Sequence, residues 1–357
     1  KGTFKNAPVI AYSDEITGNL KLATLSKNTW KISTIDGNST SGGKSDRNLA
    51  GPVSLCVTGS KSTERLHLFY ADMENKDLRH ATFDGKKWRY ETIDGNGENI
   101  QNYKETNRRR GASDVSVAHA CAVTPAGLQV FYRDESQGVL LGAVKSKSGS
   151  WRYELLDGDR KTDGRTTGDV GFHIQAIFDG STTYVAYDSV VSMNQKKEIT
   201  SGAIRIATRT SIDPTAWQYQ TLDISSDEAV IFGFDVALAK TSAGVFATWL
   251  AASAASAPKP DQIRWTWLKD STKVYRLTTE KFGTPDKYLA TDGKTIVFNC
   301  QERLCALDTS KKDLGQSAIR LVSSTQGSEP TQSAWVTVNK IKYLLATING
   351  KLALLKP

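Results

Sequence analysis

Polar and apolar residues alternate along much of this chain with a period of two, rather than the period of 3.6 that marks an amphipathic helix. In segment 30–35, Trp-Lys-Ile-Ser-Thr-Ile, every second side chain falls on the same face of an extended strand. Segment 183–187, Thr-Tyr-Val-Ala-Tyr, is rich in β-branched and aromatic residues. Residues typical of hairpin turns separate such segments, as at 14–19 and 84–87. The pattern predicts an all-β protein built of antiparallel hairpins.

A sequence motif of about 60 residues recurs along the chain. It begins with an apolar run that ends in tyrosine and aspartate, as in 8–14 and 66–72, and it closes on a segment from tryptophan to aspartate, as in 30–36 and 88–94. Self-similarity on this scale is the mark of a repeat architecture. The alanines that mark the clear copies are Ala23, Ala81, Ala143 and Ala207. Weaker copies around 263–266, 304–307 and 351–354 bring the number to seven.

Each full copy holds four predicted strands, and several four-stranded antiparallel copies in succession are the signature of a β-propeller. We predict that residues 1–357 form one domain, a seven-bladed β-propeller. The first copy is expected to lack its first strand and the last copy its fourth, which would let the two ends pair when the ring closes. The predicted blades are approximately 1–36, 52–94, 114–157, 170–223, 231–279, 286–323 and 332–357.

The repeat resembles that of secreted and periplasmic bacterial β-propellers. Those proteins carry the patterns P-x-I-A-Y-x-D, G-x-L-x-x-A and W-x-x-x-x-I-D, which residues 8–14, 18–23 and 30–36 match. A G-D-V-G stretch often precedes their repeat, and residues 168–171 have that sequence. The likeness is good over residues 7–223 and faint beyond them. It implies the propeller fold and an exported location, whether secreted, periplasmic or at the bacterial cell surface, but no particular reaction.

The composition of the chain narrows the range of partners and cofactors that we expect for it. The chain has 46 Lys and Arg against 38 Asp and Glu, a net charge of +8, which favours an anionic partner only mildly. The basic run 108–110 comes with acidic neighbours and no aromatic module, so nucleic-acid binding is not expected. The sequence has no CxxC, HExxH, G-x-G-x-x-G or Walker motif, and no apolar run of about 18 residues. We therefore expect no cofactor, no bound metal and no membrane span.

The strand order assigns the connections to two rims. Connections from a fourth strand to the next first strand share one rim with the turns between second and third strands. This rim carries the long connections 37–51, 95–113, 158–170, 189–202 and 251–260. Long loops on a rigid scaffold usually carry binding or catalysis, so we predict the functional site there.

The predicted function is that of a non-catalytic, exported scaffold that binds a protein or glycan ligand through this long-loop rim. Basic side chains in the loops would supply charge-assisted hydrogen bonds to an anionic group of the ligand. These side chains are Arg108, Arg109, Arg110, Arg160, Lys161 and Arg165.

A carbohydrate-active hydrolase is the alternative function. Aligning the first strands of the copies places several polar side chains at one level, where they would line the mouth of the central channel. Imidazoles and carboxylates there could act as acid and base, and glycosidases use two carboxylates in this way. A hydrated polar channel is the simpler interpretation, and segment 26–30 lacks the Asp and Gly of the sialidase Asp-box. The side chains at this level are Ser54, His119, His173, Asp235, Asp286 and Ser333.

Two repeated residue types have a structural interpretation. The aspartates that end second strands are interpreted as acceptors for the amides of their own turns, and the tryptophans that open fourth strands as packing residues. Three tryptophans break the repeat and are candidates for a more specific role. The aspartates are Asp14, Asp72, Asp134 and Asp188, the repeated tryptophans are Trp30, Trp88, Trp151 and Trp217, and the exceptions are Trp249, Trp265 and Trp267.

The four cysteines allow three pairings. Cys300 and Cys305 flank a predicted hairpin turn, and we predict a disulfide between them. Cys56 and Cys121 fall at matching places on neighbouring first strands, where either a bridge or two buried thiols is possible. A disulfide favours an oxidising compartment over the cytosol.

Overall fold

Seven antiparallel β-sheets follow one another along the chain, and in each sheet the strands lie in their sequence order. The fold is a seven-bladed β-propeller, as the repeat predicts. The computed structural model describes residues 2–27, 29–95, 113–146, 149–160, 162–210, 217–225, 230–253, 261–278, 285–300, 303–310, 319–322, 334–338, 341–348 and 351–355. Two compact units share the chain. Unit 1 comprises Lys1–Thr183, Arg209–Trp217 and Val336–Ile341, and unit 2 comprises Tyr184–Thr208, Gln218–Trp335 and Lys342–Pro357.

The first six sheets have four strands each, and sheet 7 has three among the described residues. Sheet 1 contains β1 (Gly2–Phe4), β2 (Ala7–Asp14), β3 (Asn19–Ser26) and β4 (Thr29–Asp36). Sheet 2 contains β5 (Val53–Thr58), β6 (Arg65–Asp72), β7 (Asp77–Phe83) and β8 (Trp88–Asp94). Sheet 3 contains β9 (His119–Thr124), β10 (Gly127–Asp134), β11 (Val139–Lys145) and β12 (Trp151–Asp157).

The remaining sheets follow the same meander. Sheet 4 contains β13 (Val170–Phe178), β14 (Thr183–Met193), β15 (Ile199–Arg209) and β16 (Gln218–Ile224). Sheet 5 contains β17 (Val230–Thr241), β18 (Gly244–Ser253), β19 (Gln262–Trp267) and β20 (Tyr275–Thr278). Sheet 6 contains β21 (Pro285–Thr291), β22 (Thr295–Cys300), β23 (Arg303–Asp308) and β24 (Ile319–Leu321), and sheet 7 contains β25 (Ala334–Val338), β26 (Ile341–Ile348) and β27 (Lys351–Leu355). In the part of the chain that the structure describes, no helix is long and apolar enough to cross a membrane.

The prediction that the first copy lacks its first strand is wrong. Strand β1 pairs antiparallel with β2, with Thr3 opposite Pro8. Three residues are too few to show an alternating pattern, so the sequence gives no sign of this strand. Sheet 7 has no fourth strand among the described residues, as expected.

A β-bulge recurs where the third strand meets the fourth. In sheet 1, Leu20 lies opposite Asp36 while the next residue, Lys21, lies opposite Thr34, so Ile35 is the extra residue of the bulge. Strict alternation would place Ile35 and Asp36 on opposite faces, yet both are buried. A bulge allows this because it turns the strand locally and re-aims its side chains. The same shift occurs in sheets 2, 3 and 4, which gives the terminal Ile-Asp or Leu-Asp of the repeat its physical reason.

The second-to-third-strand turns of unit 1 confirm the structural interpretation of their aspartates. Oδ1 of Asp14 accepts hydrogen bonds from the amides of Ile16 (3.1 Å) and Thr17 (3.3 Å). Asp72 and Asp134 each accept a hydrogen bond of 3.0 Å from the amide three residues further on. These carboxylates therefore stabilise their own turns.

Candidate functional site

In unit 1, the connections between sheets bind the turns between second and third strands. The amide of Met73, in the turn of sheet 2, donates to the carbonyl of Asn48, in the preceding connection (2.9 Å). The amide of Val170, at the end of the connection between sheets 3 and 4, donates to the carbonyl of Gly138 in the turn of sheet 3 (3.2 Å). The prediction that these two kinds of connection share one rim is confirmed for this unit.

The connection between sheets 3 and 4 is built around Asp157, the last residue of β12. Its Oδ1 accepts hydrogen bonds from the amides of Gly158 (2.8 Å) and Thr166 (2.6 Å). Arg165, inside the loop, is only 8% exposed, and its Nη1 lies 3.4 Å from Oδ1 of Asp159. This ion pair holds the Arg165 side chain inside the loop rather than toward solvent.

Arg160 is the predicted basic residue that the structure leaves most accessible. Its side chain is 39% exposed, with Nη2 at 3.7 Å from Oδ2 of Asp163. Its Nε is buried and has no hydrogen-bond partner among the described residues, so that atom is not available to a ligand. The other predicted donors, Lys161 and residues 108–110, lie outside the described residues.

The Gly-Asp-Val-Gly stretch at 168–171 holds a buried arginine. Arg133, on β10, is 1% exposed and donates from Nη1 to the carbonyl of Val170 (2.6 Å) and from Nη2 to Oδ1 of Asp169 (3.1 Å). Its guanidinium lies 3.8 Å from the centre of the Phe172 ring, an arrangement that a flat, delocalised cation favours. The stretch therefore positions the end of the long connection against sheet 3.

His119 and Ser54 come together, as the alignment of first strands predicts. Nε2 of His119 lies 3.0 Å from the carbonyl of Pro52, which can only accept, so Nε2 carries the proton and Nδ1 accepts from the Ser54 hydroxyl (2.8 Å). The ring is 8% exposed, and burial lowers the pKa of His119 to about 4. Because the protein occupies both ring nitrogens, the neutral imidazole is held as a structural group, and this geometry does not favour acid–base catalysis by His119.

The structure describes the other residues of the alternative catalytic set only in part. His173 is half-buried on β13 in unit 1. In unit 2, Asp235 uses both carboxylate oxygens within the protein, Oδ1 for the amide of Val236 (2.8 Å) and Oδ2 for the amide of Leu289 (2.6 Å). Asp286 is described only in its backbone, and residue 333 lies outside the described residues. The hydrolase alternative therefore stays a prediction.

A buried chain of hydrogen bonds crosses all four strands of sheet 2. Thr58 Oγ1 lies 2.8 Å from Nε2 of His67, Nδ1 of His67 lies 3.0 Å from Nε2 of His80, and Nδ1 of His80 lies 2.7 Å from Oε1 of Glu91. Lys145 of sheet 3 also donates to Glu91. The hydroxyl of Thr58, Nδ1–H of His67 and Nδ1–H of His80 can each donate to the next group toward the Glu91 carboxylate. Every polar group in this series is then satisfied with both imidazoles neutral.

The electrostatics of this chain follow from burial. Desolvation lowers the pKa of His67 to about 3 and also lowers that of the fully buried His80. Burial alone would raise the pKa of Glu91, but hydrogen bonds from His80 and Lys145 outweigh it and bring that pKa to about 2. The repeat pattern alone does not predict this cluster. The register of the 66–83 hairpin, which places both histidines on one face, is the signal that could have found it.

In unit 2, the predicted long connection 189–202 is mostly strand. Strands β14 and β15 extend to Met193 and from Ile199, and Oγ of Ser192 lies 2.9 Å from Oγ1 of Thr200 across the pair. Three apolar side chains of this hairpin are exposed, Val191 by 49%, Met193 by 44% and Ile199 by 37%. An apolar strip of this kind on a rim is unusual for a surface that contacts only water.

None of the eight tryptophans is exposed. Trp217 is 6% exposed, packs edge-on against Phe131 and lies under the guanidinium of Arg209 at 4.1 Å, which confirms its interpretation as a packing residue. Trp249 and Trp265 are 0% and 2% exposed, so neither ring is open to a ligand at the surface. Both lie in the hydrophobic interior of unit 2, and the partly buried Trp267 packs against Phe246.

The cysteines join strands. Cys56 of β5 and Cys121 of β9 form a disulfide with a Cα–Cα distance of 6.2 Å, which settles the alternative that the sequence left open. This bridge lies two residues along each strand from Ser54 and His119, so it clamps the same pair of first strands. Cys305 is also disulfide-bonded. The antiparallel register places Cys300 opposite Arg303, and the Cys300–Cys305 pairing stays a prediction.

The described residues contain no group of three or more His, Cys, Asp or Glu side chains that could hold a metal ion. The sequence matches no protein-family model and no curated protein. Solved structures with a similar fold include an apocarotenoid oxygenase of Synechocystis, with 10% identity and a TM-score of 0.51 over 92% of this chain and 72% of that chain. They also include the six-bladed fucose-binding lectin of Aleuria aurantia, with 12% identity and a TM-score of 0.43 over 92% and 98%.

A third similar structure is the extracellular domain of a hybrid two-component system from B. thetaiotaomicron, with 10% identity and a TM-score of 0.47 over 99% of this chain and 38% of that chain. The similar structures thus range from an enzyme to a lectin and an extracellular domain. At such identities the likeness extends to the fold alone, because one fold serves many functions. The chain is a β-propeller protein, and its function must be argued from its own surface.

Proposed function

We propose that this β-propeller is a non-catalytic, exported binding protein whose ligand surface is the rim of long connections and second-to-third-strand turns. Between the protein and glycan ligands that the sequence allows, the surface favours a protein. The observation that carries this proposal is the distribution of exposed apolar side chains.

Five of the eleven large apolar side chains that are exposed among the described residues lie in the turns and the hairpin of this rim. In unit 1, Ile16 is 96% exposed at the tip of the sheet 1 turn, and Met73 is 38% exposed at the equivalent turn of sheet 2. In unit 2, the β14–β15 hairpin carries the strip of Val191, Met193 and Ile199. The opposite rim has turns such as 84–87, whose exposed side chains are lysines. Exposed apolar side chains with polar neighbours are typical of protein interfaces.

The tryptophans argue against a sugar platform. Sugar-binding sites commonly present an aromatic ring on which the apolar face of a sugar stacks, yet no tryptophan of this chain is exposed. Arg160, whose side chain is 39% exposed, would add a charge-assisted hydrogen bond to an acidic group of a protein partner.

The disulfide Cys56–Cys121 supports an exported location, because disulfides persist in oxidising compartments and are rare in the cytosol. A second bonded cysteine, Cys305, adds to this support. The bacterial origin and the exact compartment rest on the resemblance of the repeat.

Photo-crosslinking from two positions tests the proposed function. A benzophenone amino acid replaces Met193 on the rim or, as the matched control, Ile32, which is 57% exposed on β4. After irradiation with the exported fraction of the cells that make the protein, we expect a discrete protein adduct from position 193 and none from position 32. Equal adducts from both positions, or capture from a glycan panel with no protein adduct, would overturn the proposal.

A further inference from the structure

The turns at one end of sheets 1 and 2 form a surface that the proposed function does not use. These turns follow the first and third strands of each sheet, β1, β3, β5 and β7, so they lie opposite the rim of long connections. The backbone amide of Lys5 in sheet 1 donates a hydrogen bond to Oε2 of Glu64 in sheet 2 (2.5 Å), and the Lys5 side chain lies against Gly85. The turns of the two sheets therefore share one surface, which we call the short-turn rim of unit 1.

The exposed charged side chains of this rim are all cations among the described residues. Its two carboxylates, Glu64 and Asp84, are half-buried. Oδ1 of Asp84 accepts hydrogen bonds from the amides of Lys86 and Lys87, both at 2.9 Å. Its Oδ2 lies 3.1 Å from Nη2 of Arg89, so this carboxylate is engaged within its own hairpin. The exposed cations are Lys5, Lys27, Arg65, Lys86, Lys87 and Arg89.

The opposite end of the same two sheets has the opposite charge. The second-to-third-strand turns at 14–19 and 72–77 hold five carboxylates and a single lysine. An anionic surface therefore attracts one end of these sheets and repels the other. Such a distribution of charge orients the protein on a partner as well as drawing it there.

The kind of partner follows from what accompanies the cations. Protein interfaces have an apolar centre, but none of the large apolar side chains that are exposed among the described residues lies in these turns. Single-stranded nucleic acid stacks its bases on exposed rings, and the aromatic side chains of these turns, Phe4, Phe83 and Trp88, are buried or half-buried. A layer of anionic phospholipid headgroups needs neither feature, because it attracts lysine and arginine by charge alone.

We propose that the short-turn rim of unit 1 binds the surface of a membrane that is rich in anionic phospholipid. The cations come from four separate turns at one end of two sheets, so they can contact many headgroups of a flat surface at once. Each cation near such a surface raises the affinity by about fivefold. In this orientation the long-connection rim of unit 1 faces away from the membrane. The two surfaces are separate, and either proposal can fail without the other.

Vesicle sedimentation tests the proposal. The whole chain is mixed with vesicles of phosphatidylcholine that contain about 30% phosphatidylglycerol, or with vesicles of phosphatidylcholine alone, in about 0.1 M salt. We expect binding to the anionic vesicles to be tighter by about tenfold or more. Replacing both lysines of one turn, Lys86→Gln with Lys87→Gln, should weaken that binding by about tenfold or more. The matched control is Arg47→Gln with Lys76→Gln, which removes the same charge from exposed residues at the opposite end of the sheets and should leave the binding unchanged.

Lysine labelling provides a readout that does not depend on a variant folding. The lysines of the wild-type chain are acetylated with a reactive ester, with and without the anionic vesicles, and the products are followed by mass spectrometry. We expect the vesicles to slow acetylation of Lys5, Lys86 and Lys87 severalfold and to leave that of Lys76 unchanged.

Three results would overturn the proposal: equal affinity for the two kinds of vesicle, equal losses in the two double variants, or no protection of Lys86 and Lys87. Retention on immobilised heparin at a salt concentration that releases the chain from the vesicles would also contradict it. That result would indicate an acidic polysaccharide as the partner of the short-turn rim.

Discussion

The hydroxyl of Tyr70, on the second strand of sheet 2, donates a hydrogen bond of 2.5 Å to Oδ2 of Asp36, the last residue of sheet 1. Both residues are fully buried. The next interface repeats the contact, with the hydroxyl of Tyr132 at 2.7 Å from Oδ2 of Asp94. At these two interfaces, the aspartate that ends one sheet therefore joins it to the following sheet through a hydrogen bond to a charged acceptor, the stronger kind in proteins.

Removing this hydroxyl should weaken the interface between sheets 1 and 2. Tyr70→Phe keeps the ring and removes the hydroxyl, which also accepts a long hydrogen bond from Nε of Arg79 (3.4 Å). We expect the free energy of unfolding to fall by about 1.5–3 kcal/mol, as for other bonds to charged groups. Urea denaturation measures the change. Tyr12→Phe is the matched control, because Tyr12 holds the same position in sheet 1 and makes no hydrogen bond to an aspartate within the described residues. Equal losses in the two variants would contradict a specific role for the contact.

The sequence predicts the propeller architecture well, but it does not predict the contacts between neighbouring sheets. Alternation, turn residues and the repeat identify the sheets, because those signals are local. The contact of Tyr70 with Asp36 depends on how one sheet packs on the next, and no local pattern encodes that packing. Trp249 is a second example of a contact that the sequence does not predict. It breaks the repeat, yet its Nε1 donates to Oδ2 of Asp223 at 3.1 Å. In unit 2 this tryptophan therefore makes the contact that a tyrosine makes in unit 1.

Loops were the least predictable part of the candidate site. Composition identified a basic connection at 158–170, but it could not show that Arg165 pairs with Asp159 inside the loop while the side chain of Arg160 stays 39% exposed. The exposed strip on the β14–β15 hairpin also escaped prediction, since two strands that extend beyond their neighbours look like a long loop in sequence. Both features depend on tertiary contacts rather than on local propensity.

Removing the disulfide between sheets 2 and 3 should lower the free energy of unfolding substantially. The Cys56–Cys121 bridge spans a sequence separation of 65, and the loop-entropy relation gives about 4 kcal/mol for a loop of that size. We expect the double variant Cys56→Ala with Cys121→Ala to unfold at a markedly lower urea concentration than the wild type. The control compares the single variant Cys56→Ala with the wild type, both in reducing buffer. Neither protein carries the bridge there, so any difference between them comes from the substitution itself. A double variant as stable as the oxidised wild type would show that the bridge contributes nothing.

Replacing Arg133 by lysine should loosen the Gly-Asp-Val-Gly stretch. Lysine keeps the charge but cannot bind the Val170 carbonyl and Asp169 at once while lying flat on Phe172. We expect Arg133→Lys to lose about 1–3 kcal/mol of unfolding free energy and to speed hydrogen exchange at the start of β13. Arg152→Lys, on the exposed part of β12, should change neither quantity. Unchanged exchange at β13 in Arg133→Lys would argue against this anchoring role.

The buried histidines predict that the protein loses stability as the pH falls below neutrality. Burial holds the pKa of His119 at about 4 in the folded state, against about 6.5 in the unfolded chain. Between these values the unfolded state binds a proton that the folded state does not, so unfolding becomes more favourable by up to about 1.4 kcal/mol for each pH unit below 6.5. His67 and His80 act in the same direction. Glu91, with a pKa of about 2, adds a loss only below about pH 4.5, where the unfolded carboxyl begins to protonate.

A comparison of pH 7 with pH 5 therefore isolates the histidines. In His119→Gln, the difference in unfolding free energy between the two pH values should be smaller than in the wild type by up to about 2 kcal/mol. Ser54→Ala is the matched control, because it removes the hydrogen bond to Nδ1 but keeps the buried imidazole, and so it should retain the full pH dependence. If His119→Gln instead shows the same pH dependence as the wild type, His119 takes up its proton without unfolding and its burial does not govern the stability of the first strands.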